Sequence, residues 1–304
     1  MYNFWFKFKK PIIALAPMAG YTDSAFRLLC HQMGADIVYS EMISVDAICY
    51  NNQKTLKMFK YHPKEKPIVF QLFGNKVDKF KQAISQLPVK GKNIGIDINS
   101  GCPAHKVYKT GSGAALMNEL DKAYNIIQTV CQNTDLPISV KIRTKVKDTT
   151  AIDFIKKIKD LPISAIMIHG RTLNQGFAGE IDYKIIHQAK QLLPNKIVLA
   201  NGGINSQKDI AEVLEKTQAD GLGVARGALG NPWIFKKKSN PTKRNRKKII
   251  IKHAKLFLKD NYSLTPLRQH LVHYIKGQKN ASAIRQRLIH VENLNELKKI
   301  LKDF

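Results

Sequence analysis

The residues best suited to chemistry stand where apolar runs stop. Residues 94–98 form a short apolar run with Asp97 inside it; the run ends at Asn99, where Gly101, Cys102 and Pro103 break the pattern and open a loop. A thiol just past a strand's carboxyl end can belong to a site, although free cysteine is also among the most buried residue types. Read alone, Cys102 leaves both roles open. The basic residues that follow, His105, Lys106 and Lys109, suit an anionic substrate, and cations of this kind favour a thiolate. Glu41, Gln71, Lys141, Arg143, His169, Arg171, Asn201 and Arg226 take the same place relative to other apolar runs. Each has an ordinary reading: a core histidine for His169, a strand-end cap for Gln71, a solvated lysine for Lys141. Their shared position is better explained by one active site.

Positioning these residues requires a repeating frame. Strand-like runs occur at residues 11–16, 36–40, 67–71, 94–98, 137–142, 163–168, 196–200 and 219–224, alternating with amphipathic stretches such as 152–158 and 210–214. Eight strands alternating with helices predict an α/β fold, a closed (β/α)8 TIM barrel rather than a six-stranded doubly wound sheet. In such barrels the site lies at the carboxyl ends of the strands. Asp23 or Ser24 can cap a first helix ahead of Phe26, Leu28 and Leu29, and residues 114–117 read as the start of another.

Two turns indicate a phosphorylated ligand. Asn201-Gly202-Gly203-Ile204 follows the seventh run and Ala225-Arg226-Gly227 the eighth, the loops that form the usual phosphate cradle of these barrels. No P-loop pattern is present, and Gly111-Ser112-Gly113 lacks the preceding strand of a dinucleotide fingerprint.

The charge balance points to a polyanion. Lys and Arg number 50 against 23 Asp and Glu, a net charge of +27 in 304 residues, which favours RNA, DNA or an anionic surface. The run 236–248 contains no acidic residue and marks a boundary between a barrel domain, residues 1–242, and a small all-α helical domain, residues 243–304. In the latter, Leu267, Leu271 and Tyr274 share one stripe, and Arg268, Lys276, Lys279, Arg285 and Arg287 extend the positive surface. The cysteines at 30, 49, 102 and 131 show neither C-x-x-C nor metal-ligand spacing, so no metal site, no disulfide framework and a cytoplasmic setting are expected. Lys7, Lys9 and Lys10 precede an apolar stretch too short for a signal peptide, and no stretch reaches transmembrane length.

The motifs together are similar to one family. Ala-Pro-Met-Ala-Gly-Tyr-Thr-Asp at 16–23, Ser-Glu-Met at 40–42, Gln71-Leu72, Asp-Ile-Asn-Ser-Gly-Cys-Pro-Ala at 97–104, Val-Lys-Ile-Arg at 140–143, Ile-His-Gly-Arg-Thr at 168–172, Ala-Asn-Gly-Gly-Ile at 200–204 and Arg-Gly-Ala-Leu-Gly-Asn-Pro-Trp-Ile-Phe at 226–235 occur in order along the barrel. The sequence resembles the flavin-dependent tRNA-dihydrouridine synthases, most of all the bacterial B type. The resemblance of the carboxyl-terminal segment, with Lys252, His253 and Arg285, to the family's helical tRNA-binding domain is looser.

The resemblance implies that FMN lies across the barrel mouth, with Pro17, Met18 and Ala19 against its ring, Gln71 bonding the ring edge, Lys141 near the pyrimidine side and His169 close to the ring or phosphate. Asn201, Gly202, Gly203, Ala225 and Arg226 would hold the phosphate. NADPH would reduce FMN, hydride would pass to C6 of a D-loop uridine in tRNA, and Cys102 would protonate C5. A thiol suits that acid role, its reference pKa being about 8.5. No protein partner is implied, and the chain is expected to act as a monomer. Gly203 stands where an acidic residue is common in the B type and Ala225 where glycine is common. Three rivals differ in partner or chemistry: a flavin barrel acting on a free pyrimidine, a Schiff-base barrel using Lys141, and an RNA-binding barrel without activity. The charge and basic extension count against the first.

Overall fold

The computed structural model describes residues 2–236, 241–278 and 280–304. Eight parallel strands close into a barrel: β1 (Ile12–Leu15), β2 (Ile37–Ser44), β3 (Ile68–Phe73), β4 (Ile94–Asn99), β5 (Ile138–Arg143), β6 (Ala165–His169), β7 (Ile197–Asn201) and β8 (Gly221–Val224). β8 pairs with β1 to complete the ring. The expected fold is the observed one. β2 runs beyond the predicted residues 36–40, with a register irregularity between Tyr39 and Met42.

Period-two alternation sorts the side chains of each strand. Leu15, Val38, Phe70, Ile96, Ile98, Val140 and Ile166 face outward into a core shared with the surrounding helices. Ala14, Tyr39, Val69, Met167 and Leu199 fill the interior. Phe4 and Trp5, both buried, pack with that inner set from a 3-10 turn, Phe4–Lys7. A Cβ on Gly95 would lie 3.2 Å from the Phe4 ring, so the plug packs closely against the strand there. Moving along the inner face toward the carboxyl ends, the residues turn polar: Gln71 aligns with Asp97, Asn99 with Lys141, Arg143 with His169, and His169 with Asn201. One rule, alternation, thus aims apolar residues at the barrel floor and polar ones at its mouth.

The connecting helices follow their caps. Asp23 accepts from Phe26 N at 3.0 Å to start the helix Ser24–Gln32, while residues 114–117 form a 3-10 turn, Gly113–Asn118, ahead of the helix Leu120–Gln132. Helices Lys243–Phe257, Arg268–Ile275, Ala281–Leu288 and Leu294–Ile300 enclose a second apolar cluster containing Leu267, Leu271 and Tyr274; Ala25, Leu29 and Trp233 of the barrel side join it. Of the basic run, residues 237–240 lie outside the described residues, as does Lys279, and the stretch from Lys243 is the first turns of a helix. Among the described residues no helix is long and apolar enough to cross a membrane.

The helices touch the barrel mouth. Gln269 donates to Gly20 O, His270 Nε2 lies 3.0 Å from Tyr21 O, and the Tyr21 ring meets His270 and His273 edge-on, with centroids at 5.2 and 5.8 Å. A Cβ on Gly230, whose φ is +65°, would lie 2.3 Å from the backbone of His273. Glycine is what lets these two segments approach.

Candidate active site

A cavity of about 730 Å³ opens at the carboxyl ends of the strands, lined by Cys102 and by each residue expected at the flavin: Pro17, Met18, Ala19, Gln71, Lys141, His169, Asn201, Gly202, Gly203, Ala225 and Arg226. Its size falls in the usual range for cofactor sites.

The floor near Cys102 is a hydrogen-bonded network. Gln71 Nε2 donates to Asp97 Oδ2 at 2.7 Å, Asn99 Nδ2 donates to Gln71 Oε1 at 2.8 Å, and Asn99 Oδ1 accepts from Gly101 N at 3.1 Å and Cys102 N at 2.9 Å. Ser139 donates to Asp97 Oδ1 at 2.6 Å. Burial pushes the Asp97 carboxyl up to about 6, against the bonds from Ser139 and Gln71 and the nearby Lys141 cation, so it is ionised at neutral pH. Lys141, drawn down to about 8 by burial and by Arg143, with Asp97 and Cys102 opposing, still carries its proton there.

Arg143 belongs to the frame. Its guanidinium donates to Gly101 O at 2.9 Å, Thr172 O at 2.9 Å and Gly176 O at 3.1 Å, tying the loops after β4 and β6 together. His169 is held neutral: burial, then Lys141, Arg143, Arg171 and Arg226, push it down to about 2. Arg171 donates through Nε to Gly179 O at 2.9 Å, while its buried Nη1 has no partner among the described residues. That orphaned donor beside so much positive charge favours an anion. Arg226 lies 4.7 Å over the Phe177 ring and donates to Phe177 O at 3.2 Å.

The turn after β7 is built for close approach. Gly202 has φ +112° and Gly203 φ +72°, and a Cβ on Gly202 would lie 2.8 Å from His169 Cδ2. A Cβ on Gly227 would lie 2.1 Å from Ile204 O, so the turns after β7 and β8 are in contact. Asn201 Nδ2 donates to Gly223 O at 2.7 Å, spanning the same pair of strands.

A sequence profile for dihydrouridine synthase matches residues 14–304. The chain belongs to the dihydrouridine synthase family. A probable tRNA-dihydrouridine synthase of Helicobacter pylori is 34% identical over 98% of this chain and 93% of that protein. One from Aquifex aeolicus is 30% identical over 97% and 96%. The tRNA-dihydrouridine synthase B of Xanthomonas axonopodis pv. citri is 37% identical over 74% of this chain and 68% of that protein, and the chain is of the B-like type.

Ala225, where glycine is common in the B type, has φ −108° and ψ −106°, a negative φ outside the regular α and β regions. Two groups of residues lie outside the lining. Glu41 accepts from Gly20 N; His105, Lys106 and Lys109 are exposed on a short helix, His105–Lys109, that directly follows the lining residues Cys102, Pro103 and Ala104. Tyr21, Phe177 and His273, to which the sequence assigns no role, also line the cavity. Tyr21 was within reach, inside the motif at 16–23. Phe177 sits in a loop without periodicity, and His273 arrives from the helical part, more than 150 residues beyond Cys102 in sequence.

Proposed function

We propose that this protein is a tRNA-dihydrouridine synthase that uses FMN and NADPH to reduce the C5=C6 bond of D-loop uridines, with Cys102 as the acid. The reading rests chiefly on one observation: a single cavity gathers the Cys102 thiol, the Gln71 amide, the Lys141 cation and the glycine turn at 202–203. The names of the relatives support it.

The residues present fit a flavin phosphate. The unpartnered Nη1 of Arg171 offers a donor, and the glycine turn at 202–203 lines the same cavity. Asn201, Gly202, Gly203, Ala225, Arg226 and neutral His169 would hold that end, Pro17, Met18 and Ala19 the ring face, and Gln71 and Lys141 the ring edge. Bound FMN supplies the two-electron reduction, with NADPH as its reductant.

The chain's own part is orientation and a proton. The Cys102 backbone N–H is pinned by Asn99, which fixes where the thiol meets the base, and Sγ–H donates its proton to C5. Lys141 holds positive charge on the adjacent strand β5, level with Asn99, stabilising charge that develops on the pyrimidine edge. The base must leave its stack to enter, at moderate cost in a folded tRNA loop. The exposed Lys243, Arg244, Lys248, Lys252 and Lys255 of the helix Lys243–Phe257 present a face suited to an RNA backbone. The helical part, from about residue 243, would bind tRNA, in a monomer of the cytoplasm without a structural metal.

Nucleoside mass spectrometry of unmodified tRNA incubated with the protein, FMN and NADPH tests the proposal. A product two mass units heavier than uridine is expected. Its absence with flavin-loaded protein that binds unmodified and fully modified tRNA would refute the assignment.

A further inference from the structure

The polar floor of the cavity has a direction. An amide has a donor end and an acceptor end, whereas an ionised carboxylate only accepts. Asp97, fully buried on β4, therefore obliges Gln71 to turn Nε2 toward it, at 2.7 Å. Gln71 Oε1 then faces away and receives Asn99 Nδ2 at 2.8 Å. With its amide group spent, Asn99 is left with Oδ1 toward the loop, where it accepts from Gly101 N at 3.1 Å and Cys102 N at 2.9 Å. Reversing either amide alone would put like ends together at both of the links that amide makes. Ser139 and the Ser40 hydroxyl brace the two ends: Ser139 Oγ donates to Asp97 Oδ1 at 2.6 Å, and Gln71 N donates to Ser40 Oγ at 3.0 Å.

We infer that Asp97 is a positioning residue: its negative charge sets the direction of the Gln71 and Asn99 amides and thereby fixes both the cavity-facing edge of Gln71 and the loop that carries Cys102. Asp97 is 0% exposed and does not line the cavity, so it acts on the site through its neighbours: on these two amides by hydrogen bonds and on Lys141 by charge. The inference deepens the proposed function and rests on its roles for Gln71 and Cys102. It adds that a residue out of reach of substrate decides how both are presented.

The test transposes the charge. Asp97→Asn keeps the shape but offers a donor and an acceptor, which erases the direction. Adding Gln71→Glu restores it, because the new carboxylate accepts from position 97 on one side and from Asn99 on the other. The readout is amide hydrogen exchange of the peptide spanning 100–104, measured on the purified holoprotein by mass spectrometry. Exchange in Asp97→Asn should quicken by about fivefold, the effect of losing one hydrogen bond of ordinary net strength, and Asp97→Asn/Gln71→Glu should return it toward wild type. Turnover should stay low in the double variant, since the second substitution changes the edge that Gln71 presents to the flavin. If Asp97→Asn fails to fold while the double variant folds with wild-type exchange, the relay is supported equally. Wild-type exchange in Asp97→Asn, or equally fast exchange in both variants, would overturn it. Exchange needs no turnover, so a wild-type protein that makes no dihydrouridine would defeat the proposed function and leave this result standing.

Discussion

Replacing Lys141 with methionine should make the flavin-free protein more stable and the enzyme worse. Burial and Arg143 bring Lys141 from 10.5 to about 8. A lysine whose value is lower in the folded state binds fewer protons there than in the unfolded chain between those two pH values. Stability therefore rises with pH across that window, and the penalty is fully present below pH 8. At 1.36 kcal/mol per unit the shift corresponds to roughly 3 kcal/mol. Lys141 lines an open cavity and is partly exposed, and its loss also removes a favourable neighbour of Asp97, so the expected gain is about 1–2 kcal/mol. Urea unfolding of flavin-free wild type and Lys141→Met at pH 7 and pH 10 measures it. Lys141→Met should be the more stable at pH 7, and the difference should shrink at pH 10. FMN affinity should fall in the same variant. A variant no more stable than wild type at pH 7, or a gain unchanged at pH 10, would refute the assignment of Lys141 as a residue held charged against its environment.

Three other outcomes are expected. Cys102→Ala should retain FMN and tRNA affinity and lose turnover by about 10²–10⁴, the usual worth of a positioned acid; product formation by nucleoside mass spectrometry checks it, and wild-type turnover would exclude the acid role. Gly202→Ala places a Cβ 2.8 Å from His169 Cδ2 at a φ of +112°, so the variant should purify with less flavin and lose about 2 kcal/mol or more of stability, seen in visible absorbance and thermal melts. The affinity for tRNA should fall steeply as salt rises, through counterion release; a flat titration between low and physiological salt would argue against the basic face as the RNA contact.

The barrel was legible in the sequence because its physics is local. Alternation in runs such as 137–142 and 196–200 needs only neighbours two apart to reveal a strand with an inner and an outer face. The cavity lining was legible for a related reason: a polar residue such as Gln71, Lys141 or Asn201 ending an apolar run has little other place to go than the mouth. What sequence could not give was pairing. That Glu41 turns to Gly20 N, or that Arg143 donates to three carbonyls, depends on loops brought together from distant segments. His273 reaches the cavity only because the helical part docks on the loop after β1, a contact between residues about 250 apart such as Gln269 and Gly20. Local patterning carries no trace of it.

That docking limits how the protein can be recombined. The carbonyls of Gly20 and Tyr21 are held by Gln269 and His270, and Gly20 and Tyr21 directly follow Pro17, Met18 and Ala19 of the cavity lining. The two parts are therefore not interchangeable modules. A chimaera that takes its helices from a relative, in order to change which RNA is accepted, would also re-specify the loop over the reaction centre, and would keep a working centre only if residues 17–23 travelled with the helices that grip them.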